Sequence, residues 1–374
     1  MDVVTSRSPD AGKVRRGVID ERCVGLPVVG ADRGHLGRSM RVLVTGGAGY
    51  VGSTLVPMLL HRGHAVRVLD TFRFGDVGLR RWLPHPGLEV VRGDVRDPEQ
   101  VRDALRGATA VVHLAAVVGY PACAAEPRLA QSTNVDGTAT LLAARHRDQP
   151  VVFASTGGVY GHVPHGVCDE DTAVAPLTLY GRTKAAGERL AAQAGNTTIL
   201  RFATAFGAGP ITRLDLLPND FTLRALRDRQ LTVFQPAARR TFLHVHDIAR
   251  AILFALDHQP RLRDEVLNVG DPALNLTKAG VAALVARHVE VEVDLDGHGH
   301  DPDERDYDLR YDRLRGLGFH ATVDADSGIR HLVRALASSG GSPIRAGHRL
   351  DLPDIDLAVP SPPAAGHQES ATPV

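Results

Sequence analysis

A tyrosine and a lysine stand four residues apart in the run LTLYGRTKAAGE. The residues around Tyr180 and Lys184 are mostly good helix formers, and this spacing predicts that both side chains lie on one face of a helix. A free tyrosine ionises at about pH 10. It can act as a base near neutrality where nearby positive charge lowers its pKa, and a lysine one turn away supplies that charge. The pair therefore predicts proton transfer by Tyr180.

A hydroxyl next to this pair would complete a path for the proton. The run ASTGGVYG ends a predicted strand and offers Ser155 and Thr156. The alternative interpretation of Tyr180 and Lys184 is an ordinary pair on a helix surface. The motifs upstream of the pair favour the catalytic interpretation.

A glycine-rich run, VLVTGGAGYVGSTLV, joins the first predicted strand to the first predicted helix. Its glycines allow a tight turn and let a pyrophosphate approach the helix N-terminus. We therefore expect a dinucleotide to contact Gly46, Gly49, Tyr50, Val51 and Gly52. A glycine-rich turn without a ligand is the alternative.

Three further positions at strand ends point to the same ligand. Asp70 ends the second predicted strand, where a carboxylate binds the adenosine ribose and favours NAD, although Arg67 and Arg73 leave NADP open. The motifs GDVRD and HLAA follow the next two predicted strands, at the edge where ligands bind in open α/β sheets. We expect the remaining cofactor contacts from Asp94, Val95 and Ala115.

The order of elements predicts the fold class. β-branched apolar runs alternate with helical stretches, which is typical of a parallel sheet covered on both faces. We predict a Rossmann-type doubly wound α/β fold with a smaller, discontinuous C-terminal substrate lobe. The predicted strands are 41–45, 65–70, 88–94, 110–115, 151–156 and 197–202.

We predict four segments along the chain. Residues 1–39 show no clear periodicity and are expected to form a disordered extension. Residues 40–205 form mainly the dinucleotide-binding domain, and 206–337 form mainly the substrate lobe with segments that return to the first domain. Residues 338–374 are rich in Pro, Ser and Gly, which predicts a disordered tail.

Composition excludes several classes of partner. The 374 residues have a formal net charge of zero and a pI of about 7.3, so the chain has no general attraction to nucleic acid or acidic membranes. Three cysteines are no disulfide framework and suit a reducing compartment. No apolar run reaches the roughly 18 residues of a membrane span, and no signal core is visible. We expect a soluble cytoplasmic protein.

The motifs together resemble those of the extended short-chain dehydrogenases/reductases, in particular the nucleotide-sugar epimerases and dehydratases, over about residues 41–335. The matching runs are TGGAGYVG, GDVRD, HLAA, NVDGT, STGGVYG, YGRTK and RTFLHVHDIA. The resemblance implies a Rossmann domain that binds NAD(P), a lobe that binds a nucleotide sugar, and a homodimer formed through the helix of Tyr180.

The resemblance also implies roles for single residues. Thr156 would be the catalytic hydroxyl, preferred over Ser155. Tyr180 would be the base, and Lys184 its electrostatic partner and a ligand of the nicotinamide ribose. Both Thr156 and Tyr180 would touch the substrate. Asn134 resembles the family's structural or relay asparagine.

The residues after Thr156 bear on the reaction. Nucleotide-sugar 4,6-dehydratases typically carry Asp and Glu there, whereas this chain has Gly157 and Gly158. The resemblance therefore favours an epimerase acting at C4 through a transient 4-keto sugar. A nucleotide-sugar dehydrogenase or 4-ketoreductase is the alternative. A 4,6-dehydratase and a non-catalytic dinucleotide-binding protein are less favoured.

Substrate contacts are implied more weakly. Arg240 and Arg305 fall where the family places arginines on the nucleotide pyrophosphate, for which a guanidinium fork is suited. Either could instead form a surface ion pair. Ala203 and Thr204 replace the Phe and Asn of well-studied galactose epimerases, whose Asn touches the substrate. We therefore expect Thr204 to contact the substrate, and the sugar or its pose to differ from UDP-glucose. The nucleotide and the sugar stay open.

A short run, GHVPHGVC, has His162, His165 and Cys168 at intervals that a metal site could use. No second cluster completes a four-ligand site, so we expect no metal. We expect structural or hydrogen-bonding roles for His113 and His244. The same expectation applies to His246.

Overall fold

The computed structural model describes residues 39–161, 163, 166–295, 297, 306–339 and 349–352. The predicted extension, apart from Ser39, lies outside the described residues. The strands are β1 (Arg41–Thr45), β2 (Ala65–Asp70), β3 (Leu88–Arg92), β4 (Ala110–His113), β5 (Val151–Thr156), β6 (Val167–Cys168), β7 (Thr197–Phe202), β8 (Thr204–Phe206), β9 (Ile211–Arg213), β10 (Gln230–Thr232), β11 (Arg239–His244), β12 (Val266–Val269), β13 (Asn275–Thr277), β14 (Glu292–Asp294), β15 (Asp308–Leu309) and β16 (Arg349–Asp351).

The helices alternate with these strands. They are α1 (Tyr50–His61), α2 (Val77–Arg80), α3 (Pro98–Leu105), α4 (Tyr120–Ala125), α5 (Pro127–Gln131), α6 (Gly137–Ala144), α7 (Leu179–Ala194), α8 (Leu217–Asp228), α9 (Val245–Asp257), α10 (Gln259–Leu262), α11 (Lys278–Ala286), α12 (Asp312–Gly316) and α13 (Ala325–Ser338). A π-helical turn (Ser132–Asp136) precedes α6, and 3₁₀ turns span Gly157–Val159 and Pro272–Leu274. None of the described helices has the length and apolarity needed to cross a membrane.

Seven parallel strands form the central sheet in the order β3–β2–β1–β4–β5–β7–β12. The chain runs outward from β1 in one direction and returns to β4 for the other, so the strand order reverses between β1 and β4. Ligands bind at such a switch point in open α/β sheets. The predicted doubly wound fold is confirmed. All six predicted strands belong to the sheet, although β3 and β4 end two residues earlier than predicted.

Both faces of the sheet are covered because successive strand side chains point to opposite faces. Val42 and Val44 of β1 belong to the hydrophobic cluster beneath α1 and α9. Leu43, between them, belongs to a second cluster that includes Val101 of α3 and Leu141 of α6. Near-continuous apolar strands are what a sheet with two covered faces requires.

The segment beyond residue 205 contributes to the main sheet as well as to smaller ones. β12 adds a seventh strand next to β7, which the sequence interpretation had missed, and α9 packs against α1. The smaller sheets are β8–β11–β13, β6–β15, β10–β14 and β9–β16. The boundary between a cofactor domain and a substrate lobe stays a prediction.

Two described parts of the predicted disordered tail are ordered, since α13 ends at Ser338 and β16 lies further along the chain. β16 pairs with β9 in antiparallel register, Arg349 opposite Arg213. Leu350 and Leu352 are buried against α13 and the residues around β9. The expectation of disorder over 338–374 is therefore wrong for Arg349–Asp351, because two apolar side chains at alternate positions give this short strand a buried face.

Candidate active site

A cavity of about 700 Å³ lies at the carboxyl ends of the central strands, across the switch point. The predicted site residues that the structure describes line it, except for Arg240. They are Gly46, Gly49, Tyr50, Val51, Gly52, Asp70, Asp94, Val95, Ala115, Thr156, Tyr180, Lys184 and Thr204. Arg305 lies outside the described residues.

The glycine loop between β1 and α1 is built for close approach of a ligand backbone. Gly46 adopts a φ of +72°, and its N–H donates to Leu69 O at 2.9 Å. A Cβ atom on Gly52 would lie 2.5 Å from Gly46 O, so only glycine fits this crossing of loop and helix. The loop leaves the N-terminal turn of α1 facing the cavity, which is a site for a phosphate.

Tyr50 contributes to this loop in two ways. It lines the cavity, while its hydroxyl donates to Gly207 O at 2.5 Å and so ties α1 to the chain after β8. Burial raises the pKa of the Tyr50 phenol well above its ordinary range, so this phenol stays protonated. Tyr50 is therefore no candidate for the base.

Asp70 has a defined position at the end of β2. Its carboxylate accepts hydrogen bonds from Ala48 N at 3.0 Å and Phe72 N at 2.7 Å, and burial raises its pKa. Arg67 points away from the cavity and donates to Glu89 at 2.8 Å. The structure thereby removes one of the two arginines that had left the choice between NAD and NADP open.

The motifs after β3 and β4 also line the cavity. The Asp94 carboxylate pairs with Arg96, Nε to Oδ1 at 3.0 Å, and this hydrogen bond lowers the pKa of Asp94. Val95 is buried beside it. Ala115 N donates to the Thr45 hydroxyl at 3.3 Å, which holds the chain after β4 against β1.

Helix α7 presents the tyrosine and the lysine. The Thr178 side chain caps its N-terminus by accepting from Gly181 N at 3.1 Å, so Tyr180 lies in the first turn. Lys184, one turn further, is buried and its Nζ donates to Ala154 O at 2.6 Å. Burial lowers the pKa of Lys184 to about 8. Both residues line the cavity, which agrees with the shared helix face that the spacing predicted.

The two hydroxyls at the end of β5 have different surroundings. The Ser155 hydroxyl donates to Glu188, whose carboxylate also pairs with Arg201, Nη2 to Oε2 at 2.8 Å, in the buried interior. The Thr156 hydroxyl accepts only a local hydrogen bond, from Gly158 N at 3.1 Å, among those described for it. Ser155 therefore has a structural partner, which favours Thr156 as the hydroxyl that serves a ligand.

Asn134 supports this corner of the cavity. It lies in the π-helical turn Ser132–Asp136, and its side chain accepts from Val117 N at 2.8 Å and donates to the Thr183 hydroxyl at 2.9 Å. These bonds join the loop after β4 to helix α7. The contacts agree with the structural interpretation of this asparagine.

Three histidines for which internal roles were expected lie away from the cavity. Both ring nitrogens of His113 are hydrogen-bonded, to Thr45 at 2.7 Å and Thr138 at 3.0 Å, and burial lowers its pKa to about 3. Burial also lowers the pKa of His244 to about 3 and lowers that of His246. None of the three is among the residues that line the cavity.

Besides Arg96, two arginines that the sequence interpretation did not single out line the cavity. Arg213 of β9 is buried and pairs with Asp215, Nε to Oδ1 at 3.0 Å. Burial opposes its charge, but Asp215 raises the pKa of Arg213 and the Tyr180 phenol acts in the same direction. Arg213 therefore places a second cation near Tyr180. Arg349 of β16 is the other.

The remaining predicted positions have different outcomes. Arg240 lies on β11, is buried, and donates to Arg239 O at 3.0 Å, and it is not among the residues that line the cavity. Arg305 lies outside the described residues. His162 and His165 also lie outside them, and Cys168 is buried.

Acidic groups are few in this cavity. Among the described residues that line it, the carboxylates are Asp70 and Asp94, both on the side of the glycine loop. Gly158 lines the cavity next to Thr156, and a Cβ atom on Gly157 would lie 2.8 Å from Leu309 Cδ1. Among the described residues, the glycine pair therefore brings no carboxylate next to Thr156.

The fold and this site define a Rossmann-fold protein of the short-chain dehydrogenase/reductase type. The model of the NAD dependent epimerase/dehydratase family matches residues 42–270, and the chain belongs to that family. UDP-glucuronate 4-epimerase 5 of Arabidopsis thaliana is 34% identical over 337 residues, which cover 81% of this chain and 76% of that protein.

Two other similar proteins represent different reactions. A dTDP-glucose 4,6-dehydratase of Streptomyces niveus is 35% identical over 233 residues, which cover 58% of this chain and 69% of that protein. The solved structure of UDP-glucose 4-epimerase of Thermus thermophilus, in complex with NAD, has a TM-score of 0.69 and 31% identity, covering 80% of this chain and 99% of that one. The family is therefore shown, and the reaction must be inferred from the site.

Proposed function

We propose that this protein is an NAD-dependent epimerase that inverts a nucleotide sugar at C4. One observation carries the proposal. Thr156, Tyr180 and Lys184 line the same cavity as the glycine loop, and the described residues place no carboxylate beside Thr156. Such a site can exchange a proton with a sugar hydroxyl, but it lacks a carboxylate pair for removing water.

The residues present fit a bound dinucleotide. Gly52 cannot carry a side chain without meeting Gly46 O, and the N-terminal turn of α1 opens on the cavity, so a pyrophosphate would lie there. Asp70 would bind the adenosine ribose, which favours NAD over NADP. Lys184 would bind the nicotinamide ribose. When bound, the nicotinamide would accept a hydride from the sugar and return it.

Further contacts of the dinucleotide come from the loops on both sides. We propose that Gly46, Gly49, Tyr50 and Val51 contact the pyrophosphate region through the loop and the first turn of α1. The ends of β3 and β4 would border the rest of the cofactor. The residues there are Asp94, Val95 and Ala115.

Tyr180 would hold and move the proton. Its phenolate removes the proton of the sugar 4-hydroxyl as the C–H bond at C4 is broken, and the phenol returns a proton when the alcohol forms again. Lys184 and Arg213 are the nearby cations that favour the phenolate. Thr156 would hydrogen-bond the same sugar oxygen and so orient it toward Tyr180.

The nucleotide sugar would occupy the remainder of the cavity, next to Thr204 and Arg213. The similar epimerases named above act on UDP-sugars, so UDP-glucuronate and UDP-glucose are the first substrates to test. Arg240 and Arg305 remain proposed ligands of the nucleotide pyrophosphate, by resemblance to the family. An inward turn of Arg240 on substrate binding would be needed for this role.

Assembly and location are also proposals. The family resemblance supports a homodimer formed through α7, which light scattering on the purified protein would test. Two buried free cysteines, Cys123 and Cys168, suit the reducing cytoplasm.

The test follows reaction and cofactor together. Purified protein is incubated with NAD⁺ and each of UDP-glucuronate, UDP-glucose, dTDP-glucose and GDP-mannose, with absorbance at 340 nm and NMR of the sugar product. We expect a C4 epimer of one sugar without net NADH. Stoichiometric NADH would indicate a dehydrogenase, and a 4-keto-6-deoxy sugar would indicate a dehydratase.

Neighbouring hydroxyls supply a matched pair of variants. Thr156→Ala should lower kcat about a hundredfold or more, since it removes a group that orients the reacting oxygen. Ser155→Ala should instead lower stability by about 1–3 kcal/mol, because Glu188 loses a buried donor. Equal losses of kcat per folded molecule in both variants would contradict the assignment of Thr156.

A further inference from the structure

The C-terminal strand β16 carries a cationic side chain into the cavity. Its backbone pairs with β9, and Leu352 N donates to Pro210 O at 2.9 Å just beyond the strand. Leu350, at 3% exposure, packs with Leu332 and Leu336 of α13. Because neighbouring side chains of a strand point to opposite faces, this packing directs Arg349 the other way.

Arg349 is held in a fixed orientation there. It lines the cavity, and its guanidinium carbon lies 3.8 Å from the centre of the Phe74 ring, which also lines the cavity. Such stacking fixes the plane of the guanidinium while its edge stays available for hydrogen bonds. Its Nε is buried and has no hydrogen-bond partner among the described residues.

The carboxylates near Arg349 already have other hydrogen-bond partners, so Arg349 can pair with an anionic ligand. Arg213 is its partner across the strand pair, and Asp215 is already paired with Arg213 in a two-pronged contact. Arg73 pairs with Glu126, Nη1 to Oε2 at 2.9 Å. Asp70 attracts Arg349 electrostatically but its oxygens accept from two backbone N–H groups.

Burial and the neighbouring Arg213 lower the pKa of Arg349 to about 10, so it is still cationic at neutral pH. A partly buried cation beside a second cation is stabilised by an anionic ligand. The oxygens of a phosphate group match the guanidinium fork.

The position of Arg349 indicates which ligand carries the phosphate that Arg349 would bind. Arg349 stacks on Phe74, which follows β2, and interacts electrostatically with Asp70, which ends β2. The glycine loop donates to Asp70 through Ala48 N. We propose that Arg349 is a phosphate ligand of the dinucleotide, so that the C-terminal strand completes the cofactor site. This rests on the dinucleotide binding of the proposed function.

Calorimetric titration of the full-length protein with NAD⁺ tests the proposal. Arg349→Gln should weaken NAD⁺ binding about 10- to 100-fold, since a hydrogen bond to a charged group is lost. Arg349→Lys should recover part of the affinity by keeping the charge. Arg227→Gln, which removes an exposed partner of Asp228, is the control and should stay within about twofold of the wild type.

The same variants are titrated with UDP and dTDP. We expect the affinity of Arg349→Gln for both to stay within about twofold of the wild type. A loss confined to UDP or dTDP would place Arg349 at the nucleotide sugar and overturn the proposal. Unchanged NAD⁺ affinity in Arg349→Gln would overturn it as well.

The salt dependence of NAD⁺ affinity distinguishes loss of the Arg349 charge from loss of folding. If the charge matters, the difference in NAD⁺ affinity between wild type and Arg349→Gln should shrink at about 0.5 M salt. A difference that persists, together with a lower Tm, would mean that the strand has merely detached, which overturns the proposal. A wild type that does not bind NAD⁺ would overturn the proposed function too.

Discussion

The two sides of the cavity differ in how the chain supplies them. On one side the glycine loop, Asp70 and helix α7 each bring their functional groups within a short stretch of sequence. On the other side Arg213 and Arg349 come from two strands that are far apart in sequence and meet only in the fold. One side of the cavity is thus determined by residues that are close in sequence. The other side forms only when distant strands pair.

The difference has a physical cause. A turn between strand and helix fixes its own geometry, so glycines at set positions predict the phosphate loop. On the other side, Arg349 lies at the cavity only because β16 pairs with β9 and Leu350 is buried. Neither the partner strand nor the register can be deduced from a short stretch of sequence.

The largest expected effect lies on the locally encoded side. Tyr180→Phe removes the hydroxyl that holds the proton and should lower kcat about 10²- to 10⁴-fold. NAD⁺ affinity, measured by titration, should change little because the ring stays. Activity within about tenfold of the wild type would remove Tyr180 as the base.

A steric prediction tests the glycine loop itself. Gly52→Ala places a Cβ atom 2.5 Å from Gly46 O and 2.6 Å from Gly47 Cα, so the backbone must move. We expect a loss of about 1–3 kcal/mol in the free energy of unfolding and strongly weakened NAD⁺ binding. Urea denaturation and titration measure the two effects.

Gly316 supplies the matched control for this substitution. It lies in helix α12, and a Cβ atom there would have nothing within 4 Å. Gly316→Ala should leave NAD⁺ binding unchanged and stabilise by up to about 1 kcal/mol. Similar behaviour of both alanine variants would contradict the close approach at Gly52.

A smaller effect is expected on the assembled side. Arg213→Gln removes a cation near Tyr180, so the pKa of the phenol should rise and the acidic limb of the kcat/KM profile should move to higher pH. Arg213→Lys should restore the position of the limb. An unmoved limb in Arg213→Gln would leave Lys184 as the cation that matters.

The smallest effect concerns pH and stability. Burial lowers the pKa of Lys184 from its ordinary 10.5 to about 8, so between these values the unfolded chain holds a proton that the folded protein has lost. Stability contributed by this site therefore rises with pH across that window. Lys184→Met has no amine at this site, so its stability should not show this rise.

Urea denaturation between pH 7 and 10.5 measures this difference. The free energy of unfolding of the wild type should rise relative to Lys184→Met as the pH passes from about 8 to about 10.5. Parallel curves for the two proteins would show that Lys184 titrates normally and is not buried as described.

The fold and much of the candidate site could be predicted from the sequence, because short stretches of the chain fix their local geometry. The six predicted strands and the α7 pair depend on local periodicity and spacing. β12 was not identified as a strand, although segments of 206–337 were predicted to return to the first domain. Arg213 was overlooked because nothing in TRLDLLPND distinguishes a cavity arginine from a surface one before its pairing with Asp215 is seen.

The C-terminal tail, residues 338–374, shows most clearly where prediction from the sequence fails. Pro, Ser and Gly are typical of disordered segments, and composition averaged over 338–374 hides one short strand. For Arg240 the resemblance predicts a pyrophosphate ligand, and this role stays a proposal, since the side chain donates to Arg239 O and does not line the cavity. Residue identity alone does not fix where a side chain points.

The central claim is that hydrogen removed from C4 of the sugar returns to C4. The most direct measurement uses the reactive nucleotide sugar labelled with deuterium at C4, with product NMR in ordinary water. The account predicts an inverted product that retains deuterium at C4. Deuterium found at C6, or in free reduced cofactor, would contradict it.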